Sequence, residues 1–396
     1  MAIKTNFEVN GYKYFKVTRT VGYKLDGTPI KKTFYGKTKS EAEAKADEQV
    51  NLIKNGAPLD YYSITVGMKL DYWLYDLKRM EIRASSFDRY ECTYRNHIKD
   101  SEMCTLQLHS ITSVPIQKYY NQLFENGVSE NNIKEIHKVL KMFFNWCFDE
   151  GLIKKNPVIG KQIKLPKNPE KLDDEENEEV QIFTDEQIKL ITKTAIEIDK
   201  LKYDIDFIVL LALGTGLREG EILGLENQYL DLDNAKVYVR KTLKKVKVYE
   251  TKEKWTWERR LQKPKSKSSV RNVDMPLSLI NYMSIHKDKI KAKYDELGRK
   301  FKEDSLLFIT STCESMDARN MIRAYERFLE RAGLQYVKFH ALRHTYASIL
   351  FKNGASILEV SKLLGHSDTK MAEKIYVHIY PESRKETVSK IDYIFN

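Results

Sequence analysis

Hydrophobic and polar positions follow three different rhythms along this chain. From 7 to 36 the aromatic and branched residues Tyr12, Tyr14, Phe15, Val17, Ile30, Phe34 and Tyr35 are interleaved with Lys and Arg, and Asp26-Gly27 interrupts them as a hairpin turn. Thr38 with Glu41 three residues on is a capping box. It opens a helix that reaches about Ile53 before Gly56 stops it. The expected product is a small sheet carrying one helix. Between 64 and 160 the period becomes helical. Leu70, Trp73, Leu74 and Leu77 fall on one face. Ile136, Val139, Leu140, Phe143, Phe144, Cys147 and Phe148 keep the i, i+3, i+4 spacing until Gly151. Such a stripe is usually packing between helices, so these residues are assigned no chemistry.

The third rhythm begins after an interruption. Residues 166–180 carry two prolines and then seven acids between Glu170 and Glu179, a stretch that reads as a linker. Thr184 and Gln187 then cap a helix with Ile188, Ile191, Ala195 and Ile198 on one face. The expected division is 1–60, 64–165, the linker 166–180, and 181–396.

Charge adds a partner to this outline. The formal net charge of +11 favours an anionic polymer, because each neutralised phosphate releases counterions. Between 11 and 39 there are eight Lys or Arg against Asp26 alone, so a basic, aromatic-rich sheet is expected to lie on DNA, with Lys13, Arg19, Lys31 and Lys32 as contacts. The alternative is a solvated face over a small core. Four separated cysteines (Cys92, Cys104, Cys147, Cys313) argue against a disulfide framework or zinc site. The N-terminus lacks a signal-peptide pattern and no 18-residue apolar run occurs, so a cytoplasmic protein is expected.

Three short motifs carry the chemistry. Gly214-Thr-Gly-Leu-Arg218-Glu-Gly-Glu221 follows an apolar helix, Ile205 to Leu213, expected to be largely buried. An arginine there can grip a phosphate with two parallel hydrogen bonds; the plainer reading is an Arg218–Glu221 surface pair. His340-Ala-Leu-Arg343-His344 puts His340 and Arg343 on one helix face, where they would stabilise charge on phosphate oxygens. A metal reading is disfavoured, because no H-E-x-x-H or carboxylate cluster accompanies them. Leu363-Leu-Gly365-His366 is followed ten residues after the histidine by Tyr376, in Lys374-Ile-Tyr-Val-His378. One tyrosine among 24 means little by itself, but a tyrosine at that offset from a histidine means more.

The order R-x-x-E, H-x-x-R, LGH and a tyrosine before Val-His resembles the tyrosine recombinases, in particular phage and conjugative-transposon integrases. The motifs span residues 214–378. The resemblance implies an α+β multidomain protein. Its parts would be a small N-terminal three-stranded sheet plus helix binding arm sites, a helical core-binding domain, and a mostly helical catalytic domain with a small β-hairpin sheet. It implies that Tyr376 attacks a phosphodiester to form a 3′-phosphotyrosyl link, and that strands exchange through a Holliday junction with neither metal nor ATP. Arg218 and Arg343 would hold the phosphate, His340 would move a proton, His366 would hydrogen-bond the phosphate, and Glu221 would orient.

A hairpin lysine would be the general acid. Lys265 and Lys267 compete for that role, and the spacing to Pro276 favours Lys267. The hairpin's first strand is expected at Ala235–Leu243. Residues 240–271 hold thirteen basic residues against three acids, a phosphate-contacting strip that includes Lys265 and Arg271. The segment 244–262, with Trp255 and Trp257, exceeds a simple hairpin and reads as an inserted DNA-contacting element. Tyr380, one helical turn after Tyr376, is the rival nucleophile. The family also implies a homo-tetramer on double-stranded DNA, held by exchange of the C-terminal tail (Ser383–Ile394), and an accessory directionality factor. A type IB-like topoisomerase or a catalytically silent DNA-binding regulator on the same fold are the alternatives. The first is disfavoured by the acidic linker and three-part layout, the second by the complete set of polar positions. Phage and transposon origins stay open.

Overall fold

The computed structural model describes residues 7–9, 12–23, 27–54, 63–168, 180–197, 204–264, 266–365 and 368–379. Asp26, Gly56, most of the acidic linker, Ile198, Lys265, His366, Tyr380 and the tail lie outside the described residues. The chain divides into two compact units, residues 1–172 and 173–396.

In the first unit, β1 (Phe7–Val9), β2 (Tyr12–Tyr23) and β3 (Pro29–Gly36) form an antiparallel sheet in that order, and α1 (Lys39–Lys54) packs on it. Ala42 and Ala46 of α1 and Val21 of β2 are buried. Strand alternation sorts the expected DNA contacts. Arg19 reaches Asp47 of α1 at 3.8 Å and pairs across the ladder with Lys32, so both belong to the helix-facing side. Lys13, an even number of residues from Arg19, shares that side. Only Lys31, paired with Thr20, joins Lys16 and Thr18 on the open face. The open-face set was not read from the sequence, because composition does not say which side the helix covers.

The rest of this unit is helical: α2 (Val66–Tyr72), α3 (Arg79–Glu81), α4 (Ala84–Thr93), α5 (Glu102–Thr105), α6 (Ser113–Glu125) and α7 (Glu130–Asp149). The π-helical segment Trp73–Lys78 joins α2 to α3 without a break. The predicted stripes meet here, with Trp73 edge-on to Phe143 at 5.8 Å. Phe148 differs: it is 50% exposed, because the apolar stripe rotates off the packed face in the last turn of α7.

The second unit is built around α9 (Ile205–Thr215), whose residues are nearly all buried. Around it stand α8 (Asp185–Glu197), α11 (Leu277–Glu296), α12 (Ala318–Arg331) and α13 (His340–Lys352). The Thr184–Gln187 capping box is present, each side chain bonding the other's backbone N–H at 3.3 and 2.9 Å. Two sheets occupy 230–274. The strands β4 (Leu230–Asp231), β5 (Lys236–Val239) and β8 (Arg271–Asp274) make one. The strands β6 (Thr242–Tyr249) and β7 (Trp255–Gln262) make a separate ribbon. The expected strand over 235–243 is therefore split after Val239, and β5 pairs with β8 across the inserted ribbon. The helices α14 (Ile357–Leu364) and α15 (Lys370–Ile379) pack on α13 around Tyr346, Phe351, Val360 and Ile375.

Candidate active site

The site begins where α9 ends. Gly216 adopts φ +62°, and a Cβ there would lie 2.4 Å from the Tyr346 ring, so both conformation and space demand glycine. The turn delivers Arg218 to the N-terminus of the short helix α10 (Glu219–Leu223), in extended backbone. Glu221, in the first turn of α10, accepts from the Arg218 backbone N–H and from its Nη1, both at 2.9 Å. This is no surface pair, since Glu221 is only 6% exposed.

A second arginine grips the same carboxylate. Arg271 of β8 donates from Nη1 and Nη2 to the two oxygens of Glu221 at 3.1 and 3.0 Å. Burial alone would raise the Glu221 pKa. The hydrogen bonds and charge of Arg271, and then those of Arg218, more than offset it, and the carboxyl stays below its ordinary range.

Arg343 lies in the first turn of α13 and is among the largest fully buried side chains of the protein. It donates from Nη1 to the Gly216 carbonyl at 2.6 Å and from Nη2 to the Leu364 carbonyl. Burial, then the positive charges of Arg218 and Arg271, push its pKa below the usual arginine value. Arginine's high intrinsic basicity still keeps it cationic near neutrality. Two guanidiniums thus grip one carboxylate, a third, Arg343, feels the charge of all three, and the surplus positive charge is held at a place with little water. An anion arriving there would relieve the mutual repulsion and meet donors already oriented.

His340, at the start of α13, presents a solvent-reaching ring edge-on to His344 at 4.7 Å. The protein packed around the ring, then His344, Arg343 and Arg218, lower its pKa to about 4. His344 lines, with Lys338, Met371 and Lys374, a cleft of about 380 Å³ beside His340. Lys267 sits exposed on the tight turn Lys267–Ser269, which the Ser266 hydroxyl closes by accepting from the Ser269 N–H at 3.3 Å. That turn leads into β8, and a Cβ on Gly365 would lie 2.8 Å from the Ser268 carbonyl. Tyr376, on α15, is half-buried and packs edge-on against Phe351 of α13 at 5.4 Å. Phe351 stands eight residues beyond Arg343, about 12 Å along the helix. Among the described residues no group of three or more His, Cys, Asp or Glu side chains converges as metal ligands would.

The structure therefore brings Arg218, Glu221, Arg343 and His340 together, and packs the helix of Tyr376 on the helix of Arg343. It moves Arg271 away from its expected place. That residue is not on a surface strip but buried, and its donors are taken by protein acceptors. A signal existed in the alternation of β8, where Arg271 shares its face with buried Val273.

Residues 181–383 match the family model described as "Phage integrase family". A "Tyrosine recombinase XerC-like" protein of Caldanaerobacter subterraneus subsp. tengcongensis is 39% identical over 398 residues, covering 100% of both chains. The ICEBs1 integrase of Bacillus subtilis is 26% identical, covering 79% of each. Among solved structures, the Tn1549 transposon integrase in complex with a circular intermediate DNA aligns with a TM-score of 0.63 at 20% identity, over 82% of this chain and 99% of that one. A lambda integrase dimer bound to a COC′ core site aligns with a TM-score of 0.51 at 17% identity, over 94% and 93%.

Proposed function

Because this chain belongs to the phage integrase family of tyrosine recombinases, we propose that Tyr376 is its nucleophile and that Arg218, Arg343, His340, Lys267 and His366 serve it in separate roles. The protein is a site-specific DNA recombinase that cuts and rejoins DNA for a mobile element. The observation that supports this division of labour best is the pairing of Arg218 and Arg271 on Glu221, with Arg343 and His340 within reach of their charge.

The Tyr376 hydroxyl attacks the scissile phosphorus while its proton passes to the His340 imidazole. Arg218 and Arg343 hold the non-bridging oxygens and offset the charge that grows on them. The bond to the 5′-oxygen breaks as that oxygen takes a proton from Lys267. The product is a 3′-phosphotyrosyl link and a free 5′-hydroxyl, and attack by the partner strand's hydroxyl reverses the chemistry. Bond energy is conserved in the covalent link, so no ATP is consumed. His340 suits proton acceptance because its low pKa leaves it neutral at pH 7. An NMR titration of the DNA-free protein should place it far below the ordinary histidine value of about 6.5. Bound DNA should move it upward, since phosphate stabilises the imidazolium. An ordinary value in the free protein, unmoved by DNA, would remove His340 from this role.

The DNA partner would be met in three places: arm sites by residues 1–60, core sites by 64–165, and the scissile region by 181–396. The β6–β7 ribbon adds a basic and aromatic face. Tyr249, Trp255 and Trp257 alternate with Lys245, Lys247 and Arg259, and Lys247 lies 4.5 Å from the Trp255 ring centre. The active assembly would be a tetramer on paired sites, with an accessory factor setting direction.

The test is a recombination assay with two attachment-site duplexes, without ATP and with a chelator. Recombinant product and a detergent-stable protein–DNA adduct are expected, and Trp255→Ala with Trp257→Ala should weaken core-site binding. Relaxation of a supercoiled plasmid lacking any site would favour a topoisomerase. Binding with no adduct would favour a silent regulator.

A further inference from the structure

Arg271 has no place in the chemistry just described, yet it is the most connected side chain around it. Besides the two-pronged grip on Glu221, its Nε donates to the Leu363 carbonyl at 2.7 Å and its Nη1 to the Ser269 carbonyl at 3.3 Å. One planar group therefore ties together α10, the C-terminal end of α14 and the turn that carries Lys267. The neighbouring carbonyl, Leu364, is taken by Arg343. Two guanidiniums thus cap successive carbonyls at the end of α14, where the helix dipole is negative. The packing leaves no slack, because a Cβ on Gly365 would lie 2.8 Å from Arg271 Cδ. Arg271 spends four of its five N–H donors on protein acceptors, which leaves it no fork for a phosphate.

We infer that Arg271 is a positioning residue for DNA cleavage: through Glu221 it fixes Arg218, and through Leu363 it fixes the end of α14 beside Arg343, so that both phosphate-holding groups share one frame. The inference rests on the reading of Arg218 and Arg343 given above. Charge supplies the second half of the argument. Glu221 is shared between two arginines, so Arg218 is not neutralised by it. Without Arg271, Arg218 and Glu221 become a closed pair of zero net charge, and Arg218 turns from the phosphate towards its carboxylate. Lysine would restore the charge but not the fork, since it cannot meet two carboxylate oxygens and a carbonyl in one plane.

Replacing the scissile phosphate by a neutral methylphosphonate tests this, because an arginine that offsets phosphate charge matters little when that charge is absent. Adduct formation in a single turnover would be followed on nicked attachment-site DNA of both kinds, for the full-length protein and for Arg218→Met, Arg271→Met and Arg271→Lys. On phosphate DNA, Arg271→Met should slow the adduct by roughly 10²-fold, the scale of an ångström-sized misplacement, and Arg271→Lys by less. On methylphosphonate DNA the penalty should shrink to less than roughly threefold, in parallel with Arg218→Met. Affinity for the DNA should stay at the wild-type level. If Arg271→Met fails to fold, Glu221→Gln should give the same dependence on substrate charge, because it loosens the same fork. Equal penalties on both substrates would make Arg271 a structural residue only, and wild-type rates would dismiss it. An unmodified protein that forms no adduct on phosphate DNA would instead overturn the functional proposal itself.

Discussion

Replacing Tyr376 with phenylalanine removes covalent capture of attachment-site DNA, a loss of about 10⁶-fold if it behaves as other deleted nucleophiles do. The substitution deletes one oxygen and nothing else. The ring keeps its edge-on contact with Phe351, and α15 keeps buried Ala372 and Ile375 against α13 and α14. Folding and DNA binding should therefore persist, and the defect should be confined to the bond-forming step. The measurement is a denaturing gel of labelled, nicked DNA after incubation with each variant. Tyr380→Phe should retain the adduct. An adduct from Tyr376→Phe together with none from Tyr380→Phe would transfer the nucleophile by one helical turn.

The sequence disclosed elements whose pattern is local and left unread those set by packing. The stripe through α7 and the capping box at Thr184 need only a few residues of context, and both appear in the structure. The motif residues Arg218, Glu221, His340 and Arg343 were legible because their spacing is short, though their convergence was not. Gly216 and Arg343 are 127 residues apart, and Arg271 and Leu363 are 92 apart. No periodicity encodes such contacts. Charge misled where it stood in for geometry: Arg271 lies in a run rich in cations, yet β-strand alternation turns it inward. The ladder sorts Arg19 with Lys32 on one face of the sheet and Lys31 on the other, a division that composition does not encode. The insertion was visible as excess length, but its autonomy as a separate ribbon follows from β5 pairing with β8 instead of β6.

Arg343→Lys should slow adduct formation by about 10³-fold, the upper range for removing one oriented donor to a developing oxyanion. The reason lies in what Arg343 does before any DNA arrives. Its guanidinium already serves the Gly216 and Leu364 carbonyls from two prongs, and on the proposed role its remaining donors would meet the phosphate. A lysine ammonium has the charge but is a single point, so satisfying both carbonyls and a phosphate at once is geometrically impossible. One buried carbonyl then goes unpaired, a cost of about 1–3 kcal/mol in folding free energy. The prediction is thus double: slower chemistry and a lower melting temperature. Arg218→Lys provides the contrast. Arg218 is 34% exposed, and among the described residues its donors bond Glu221 alone, so its replacement should slow cleavage comparably while shifting stability by roughly 0.5 kcal/mol or less. Thermal unfolding and single-turnover cleavage on the same preparations separate the two arginines. An Arg343→Lys protein that melts early but cuts at the normal rate would leave Arg343 a purely structural tie between α9 and α14, with Arg218 as the phosphate's principal holder.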